Sequence, residues 1–233
     1  MEYLNFIFYG IIQGLTEFIP VSSTAHLKII SDLFGINDPG SSLSAIIQMG
    51  SIVAIFWYFK QDLLNLDTKK SKNYQSFSSS KKLFKSIFIG TIPIVCFGGI
   101  VKLFIPEYSE SFLRSNLSIG ILSLLMSFLM YISEFFDNKF ISIKNHKYFD
   151  SLLIGIAQAF AILPGVSRSG VTISIALLSG WERKDAAKFS FLLGIPAISL
   201  AALVEFFSSI SEFSTFPFFP LLVGLLTTFL SSL

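Results

Sequence analysis

The sequence is poor in charge, in cysteine and in basic residues near its start. Only 14% of the 233 residues are charged, whereas a soluble domain is closer to a quarter charged. A single cysteine, Cys96, excludes an internal disulfide and a cysteine-based zinc site. The first basic residue is Lys28, so we expect no cleavable signal peptide, which would begin with a positive region. The composition therefore argues against a soluble domain.

Long apolar runs are what the sequence has instead. Hydrophobic residues make up 52% of the chain, and the mean hydropathy is +0.70. Apolar segments of about 17–25 residues recur, which is the length that spans a bilayer. The fold class predicted is an all-α polytopic membrane protein with one domain over residues 1–233. The predicted segments are 3–19, 23–34, 43–59, 86–105, 115–136, 150–163, 167–180, 185–207 and 217–233.

Basic residues concentrate in three of the connections between these segments. These connections are 60–85, 137–149 and 181–188, and the positive-inside rule places them on the cytoplasmic side. We expect 60–85, which is rich in serine and lysine, to be a solvated basic loop. His146, in the second connection, is likewise expected to be solvated.

Proline interrupts two of the apolar stretches. Pro20 divides 3–34, and Pro164 with Gly165 divides 150–180. The 12 residues of 23–34 would form a helix of only about 18 Å, short of the roughly 30 Å hydrocarbon core. Each stretch is therefore predicted to form a re-entrant broken-helix hairpin.

The two hairpins share a sequence pattern. GIIQGLTEFIPVSS (Gly10–Ser23) resembles GIAQAFAILPGVSRS (Gly155–Ser169) in its glycine, its glutamine three residues later and its serine-rich end. Two such units entered from opposite faces form an inverted-topology repeat, whose broken helices meet near the bilayer midplane. Repeat one covers about 1–136 and repeat two about 150–233.

Ionisable residues inside a membrane suggest function, because charge there is costly. Glu17 and His26 lie on either side of Pro20, and Ser23 precedes His26 by three residues, which places both on one helix face. This pair suits a hydroxyl nucleophile with a nearby base. The alternative is a capped helix start whose histidine bonds to a carbonyl.

The segment PGVSRSGVT (Pro164–Thr172) predicts an anion site. A helix that begins after Pro164 and Gly165 offers free N–H groups and the positive end of its dipole. Arg168 adds a planar fork that matches phosphate oxygens, and Thr172 lies about one turn further. Glu17 would repel a phosphate unless it is protonated, acts as an acid or base, or holds a divalent cation with Gln13.

These residues resemble a known family. The (E/Q)xxxE motif falls on Gln13 to Glu17, a PVSSxxH stretch on Pro20 to His26, and PGxSRSxxT is intact from Pro164 to Thr172. Over its whole length the sequence is similar to the bacterial undecaprenyl-diphosphate phosphatases of the bacitracin-resistance type.

The resemblance implies hydrolysis of undecaprenyl diphosphate to undecaprenyl phosphate and inorganic phosphate, with Mg²⁺ or Ca²⁺ as cofactor. It implies a site open to the outer face of the bacterial inner membrane, with membrane lipids as partners, no nucleic acid, and a homodimer among the expected assemblies. The residues it implies are Glu17, Ser23, His26 and Arg168 for catalysis, Ser22, Ser167, Arg168, Ser169 and Thr172 for phosphate, and Glu17 with Gln13 for the metal.

Two departures from the family pattern stand out. Gln13 leaves one carboxylate in the first motif, so a metal is expected to be held weakly or chiefly by substrate oxygens. Leu233 falls within what looks like the family's penultimate helix, so we expect repeat two to lack its closing helix. The nucleophile is left open between Ser23, His26 and a metal-bound water. A transporter or flippase for a phosphorylated prenyl lipid and an inactive chain are the alternative interpretations.

Overall fold

The computed structural model describes residues 2–36, 40–60, 74–105, 112–135, 140–208 and 218–233. Within them the chain is helical, apart from turns and one isolated parallel bridge between Ile141 and Trp181. The prediction of an all-helical protein is confirmed. The helices are α1 (Glu2–Phe18), α2 (Ser23–Phe34), α3 (Gly40–Ile47), α4 (Met49–Tyr58), α5 (Tyr74–Phe104), α6 (Asn116–Glu134), α7 (Tyr148–Ala159), α8 (Arg168–Leu178), α9 (Arg183–Ser208) and α10 (Phe218–Ser232).

Three of the described helices are long and apolar enough to cross a membrane. They comprise Lys81–Phe104 in α5, Asn116–Glu134 in α6 and Arg183–Phe207 in α9. Large apolar side chains such as Leu124 and Phe128 are exposed on the surface, as expected for a protein whose solvent is lipid. The helices therefore fit a membrane protein.

The prediction that residues 60–85 form a loop is wrong at its C-terminal boundary, because α5 already begins at Tyr74. Residues 61–73 lie outside the described residues. The polar sequence from 74 to 85 has no membrane-spanning signal, but tertiary contacts extend the helix there. Leu83 packs against the buried cluster around Trp181, and Lys82 Nζ donates to the Lys144 carbonyl at 3.2 Å.

His146 is not solvated, contrary to the prediction, and only 1% of its surface is exposed. It lies between α6 and α7, where Nδ1 donates to the Ile143 carbonyl at 2.8 Å. Nε2 therefore accepts from the Ser86 hydroxyl at 2.7 Å, and Trp181 packs against the ring. Burial lowers the pKa of His146, because the charged ring would lose its hydration.

The burial of His146 predicts that the folded protein becomes less stable as the pH is lowered from neutral. The folded pKa lies below the unfolded value, so the contribution of neutral His146 is complete above about pH 6.5 and is lost as the pH falls below that. The carbonyl of Ile143 and Asp150 oppose the shift, and Lys82 reinforces it. We expect the unfolding midpoint in detergent to drop between about pH 7 and pH 5, and the drop to be smaller in His146→Asn. An equal drop in the two proteins would contradict this assignment.

Glycines in α1 and α4 let α10 pack against bare backbone. A Cβ at Gly14 would lie 2.7 Å from the Thr228 carbonyl oxygen, and one at Gly10 would lie 2.7 Å from that of Gly224. Close approach of helices at small residues spaced four apart is typical of membrane interfaces. The packing of α1 against α10 is the most extensive helix contact in the fold, and it supports the helix that carries Glu17.

Gly14→Leu is expected to separate α10 from α1 and to destabilise the protein by about 3 kcal/mol or more, because the added side chain meets backbone that cannot move aside. The measurement is the unfolding midpoint of the detergent-solubilised protein. Gly99→Leu is the matched control, since a Cβ at Gly99 meets nothing within 4 Å. Equal midpoints for the two variants would rule out this role for Gly14.

Candidate active site

The turn after α1 meets the turn before α8. Ser169 Oγ donates to the Ile19 carbonyl at 3.2 Å, and Arg168 Nη2 donates to Glu17 Oε1 at 3.0 Å. Residues far apart in sequence are thereby brought to one place. The contact joins a carboxylate from one turn to a guanidinium from the other.

A serine N-cap starts the helix that follows each of these two turns. Ser22 has φ −75° and ψ 110°, and its hydroxyl accepts from the Ala25 N–H at 3.3 Å. Ser167 has φ −72° and ψ 121°, and its hydroxyl accepts from the Gly170 N–H at 3.1 Å. Serine is a preferred N-cap for this reason. Other first-turn N–H groups have no intrahelical acceptor, so both helix starts favour an anion.

Gly165 is required by the turn before α8. Its φ is +96°, a conformation that residues with a Cβ rarely adopt. A Cβ there would also lie 2.7 Å from the Ile119 carbonyl oxygen. The turn is thereby packed closely on α6, and Ser123 Oγ donates to the Gly165 carbonyl at 3.3 Å.

Glu17 is the centre of a buried polar network. Its Oε1 pairs with Arg168, and its Oε2 accepts from Gln13 Nε2 at 2.7 Å and from Ser23 Oγ at 3.2 Å. Only 5% of Glu17 is exposed. A buried charge is stable only when it is paired and hydrogen-bonded, and these donors meet that requirement.

Arg168 keeps donors that protein atoms do not use. Nη1 donates to the Ser190 carbonyl at 3.2 Å and Nη2 to Glu17, whereas buried Nε has no hydrogen-bond partner among the described residues. A guanidinium carries five N–H donors, so a phosphate can bind without breaking the contact to Ser190.

A cavity of about 220 Å³ lies between the two helix starts and is walled by α5 and α9. Its apolar walls include Ile94 and Ile198. The polar residues that line it are Glu17, Ser22, Ser23, Thr24, Gln48, Ser167 and Arg168.

Five of the residues singled out in the sequence thus line one cavity, and four lie elsewhere. Gln13 is buried behind Glu17, and Ser169 is buried with its hydroxyl on the Ile19 carbonyl. Thr172 donates to the Arg168 carbonyl at 2.8 Å and contacts the Ser190 hydroxyl at 2.6 Å. Thr172 is 0% exposed, so in this structure it supports Arg168.

His26 is the fourth residue outside the cavity lining. Its Nδ1 lies 2.8 Å from the Ser22 carbonyl, and because a carbonyl only accepts, Nδ1 donates this hydrogen bond. Ser23 instead donates to Glu17. The hydroxyl and the imidazole are therefore not hydrogen-bonded to each other.

Two polar lining residues were missed in the sequence, Thr24 and Gln48. Gln48 lies between α3 and α4, within the otherwise apolar run 43–59. A polar side chain inside an apolar segment is the signal that would have pointed to it.

The residues that line the cavity supply few ligands for a divalent cation. Among the described residues, no three His, Cys, Asp or Glu side chains cluster as a metal site would require. Glu17 is the only acidic residue in the part of the cavity lining that the structure describes. Mg²⁺ is often bound through one or two carboxylates together with substrate phosphates and waters, and Glu17 fits that form.

Sequence comparison gives relatives with one name. The chain matches the family described as bacitracin resistance protein BacA over residues 6–233. It is 70% identical to the undecaprenyl-diphosphatase of Prochlorococcus marinus strain MIT 9515, a match that covers 100% of this chain and 88% of the relative. It is 46% identical to the undecaprenyl-diphosphatase of Synechococcus sp. strain RCC307, a match that covers 94% of this chain and 77% of the relative. The chain therefore belongs to the bacitracin resistance protein BacA family.

Proposed function

We propose that this chain hydrolyses undecaprenyl diphosphate to undecaprenyl phosphate and inorganic phosphate in the cavity between the two helix starts. The reaction renews the lipid carrier for peptidoglycan and other wall polymers. The observation that carries the proposal is the arrangement of Arg168, Glu17 and Ser23 between two serine-capped helix starts. The names of the relatives agree with it.

Binding of the diphosphate uses charge and dipole together. The terminal phosphate lies against Arg168 and against the first-turn N–H groups of α2 and α8, where the helix dipoles favour an anion. It competes with Glu17 for the guanidinium, and Glu17 is then left with its Ser23 and Gln13 donors. Phosphoryl transfer depends mainly on such positioning and charge neutralisation.

Ser23 is the proposed nucleophile, because among the described hydroxyl groups that line the cavity it is the one that donates to a carboxylate. Its Oγ attacks the terminal phosphorus, and its proton passes to Glu17. The bond from that phosphorus to the bridging oxygen breaks, and undecaprenyl phosphate leaves. The oxygen of a water molecule then attacks the phosphorus of the phosphoserine, and the bond from that phosphorus to Ser23 Oγ breaks. The Glu17 proton returns to Ser23 Oγ, and the proton lost by the water leaves with the inorganic phosphate.

The divalent cation, Mg²⁺ or Ca²⁺, is part of the proposal. Glu17 would be its protein ligand, and Gln13 would join it by presenting its amide oxygen in place of Nε2. When bound, the cation would neutralise charge on the substrate oxygens.

A second, apolar cavity suits the prenyl chain. It has a volume of about 560 Å³ and lies where α4, α5 and α9 meet, with Phe56, Phe88 and Leu192 in its lining. Neighbouring residues on the same helices line both cavities, Ile94 and Val95 on α5 and Pro196 and Ala197 on α9.

The inverted-topology repeat with two re-entrant hairpins is also part of the proposal. It is supported by a constant offset of sequence, which relates Ser22 to Ser167 as N-caps and Gln13 to Gln158. The helices α2 and α8, with 12 and 11 residues, are about 18 and 17 Å long, too short to span a bilayer. The basic connections further support an inner-membrane location with the site open to the outer face.

The test is phosphate release from undecaprenyl diphosphate by the purified protein in detergent, with Mg²⁺, with Ca²⁺ and with a chelator. We expect release with either cation and a large loss with the chelator. Unchanged release in the chelator would remove the cation from the proposal. Transfer of the lipid across vesicles without phosphate release would overturn hydrolysis in favour of a flippase.

A further inference from the structure

The guanidinium of Arg168 lies on a bare stretch of helix α9. Its Nη1 donates to the Ser190 carbonyl at 3.2 Å. A Cβ added at Gly194, one turn further, would lie 2.6 Å from Cζ and 3.0 Å from Nη2, and closer still to Nη1. Three atoms of the guanidinium thus occupy space that any other residue at this position would fill.

The backbone conformation does not require a glycine at position 194. Gly194 is absent from the glycines with positive φ in the described residues, and it lies in the interior of α9. A glycine inside a helix costs about 1 kcal/mol relative to alanine. The space above Gly194 is therefore the property that distinguishes it.

The surroundings fix Arg168 on the same helix. Thr172 Oγ1 lies 2.6 Å from Ser190 Oγ and donates to the Arg168 carbonyl at 2.8 Å. Thr172 and Ser190 are both buried. Helices α8 and α9 are thereby joined directly beside the carbonyl that holds Nη1.

We propose that Gly194 is a positioning residue for the reaction, whose missing side chain lets Arg168 lie with Nη1 on the Ser190 carbonyl and Nη2 directed at Glu17, where the substrate phosphate competes for it. This inference rests on the proposed phosphatase function. Gly194 acts only through Arg168 and has no contact with substrate. Since Arg168 is the main cationic group of the cavity, its placement sets the rate.

The test is a graded series at position 194. A misplacement of about 1 Å can cost on the order of 100-fold in rate. We expect kcat/KM for undecaprenyl diphosphate to fall about 10-fold in Gly194→Ala, where the guanidinium can shift, and about 100-fold or more in Gly194→Val. Gly120→Val in α6 is the control, because a Cβ at Gly120 meets nothing within 4 Å, and it is expected to keep wild-type activity.

A double-mutant cycle between Gly194 and Arg168 separates a positioning role of Gly194 from a packing role. The quantity measured is phosphate affinity, which does not depend on turnover. The probe is inorganic phosphate, and the affinity is measured by calorimetry. Gly194→Val is expected to weaken binding when Arg168 is present and to change it less than about twofold when Arg168 is alanine. Equal effects in both backgrounds, or wild-type kcat/KM in Gly194→Val, would overturn the inference. A wild-type protein that releases no phosphate would overturn the proposed function instead.

Discussion

Arg168→Ala is expected to lower the rate of phosphate release by about 1,000-fold or more, which is the scale of loss when an arginine that stabilises a transferring phosphoryl group is removed. Among the described residues, Arg168 is the only basic one that lines the cavity. The measurement is initial-rate phosphate release from undecaprenyl diphosphate. Arg183→Ala is the matched control, because Arg183 pairs with Glu134 on the exposed surface, and it is expected to keep wild-type activity.

Loss of activity must be separated from loss of fold, since removal of one partner from a buried ion pair costs about 3–5 kcal/mol. Arg168→Ala leaves Glu17 buried without its cation. The double variant Arg168→Ala with Glu17→Gln removes both charges, so it is expected to recover much of the unfolding midpoint and none of the activity. Arg168→Lys keeps the charge without the planar fork and is expected to remain strongly impaired. Near-normal turnover in Arg168→Lys and in Arg168→Ala would exclude the role assigned to Arg168.

Ser23→Ala is expected to show the second large effect, a loss of about 1,000-fold in kcat, the scale seen when a transition-state or nucleophilic group is removed. The loss follows because Ser23 carries the hydroxyl bonded to Glu17. Ser179→Ala is the control, since Ser179 donates to the Ile175 carbonyl at the far end of α8. Its activity is expected to equal that of the wild type.

The identity of the nucleophile is tested with substrate labelled in its terminal phosphate, by quenching turnover in acid, which preserves phosphoserine, and separately in alkali, which preserves phosphohistidine. Label is expected on Ser23 in the wild type and is expected to be absent from Ser23→Ala. His26→Ala is expected to lose less activity than Ser23→Ala. Label on His26, or a Ser23→Ala variant within tenfold of the wild type, would transfer the attack to His26 or to a water.

The sequence predicted the helices and the turns well, because their signals are local. Proline and glycine end the helices that precede α2 and α8, and serine caps the helices that follow. Gly165 needed its positive φ, which only glycine adopts readily. Charge inside an apolar run singled out Glu17 and Arg168 as candidate site residues, but it did not predict that they pair.

The pairing of side chains was harder to predict, because it depends on contacts between distant segments. Spacing placed Ser23 and His26 on one helix face, but the direction of each side chain was set by its neighbours, the Glu17 carboxylate and the Ser22 carbonyl. The prediction that His146 is solvated failed because Ser86 and Trp181, which lie far from it in sequence, cover its ring. The role of Gly194 could not be predicted, since the space it leaves is occupied by a residue from another helix.

The ion pair between Glu17 and Arg168 joins residues 151 positions apart, and this has a consequence for biogenesis. Either residue without the other would be an unpaired charge in apolar surroundings, so the segments that carry them are stable in the membrane only together. Assembly of the two halves and formation of the active site are therefore a single event. A protease that recognises unpaired charges in badly inserted chains would therefore also remove the chains whose active site has not formed.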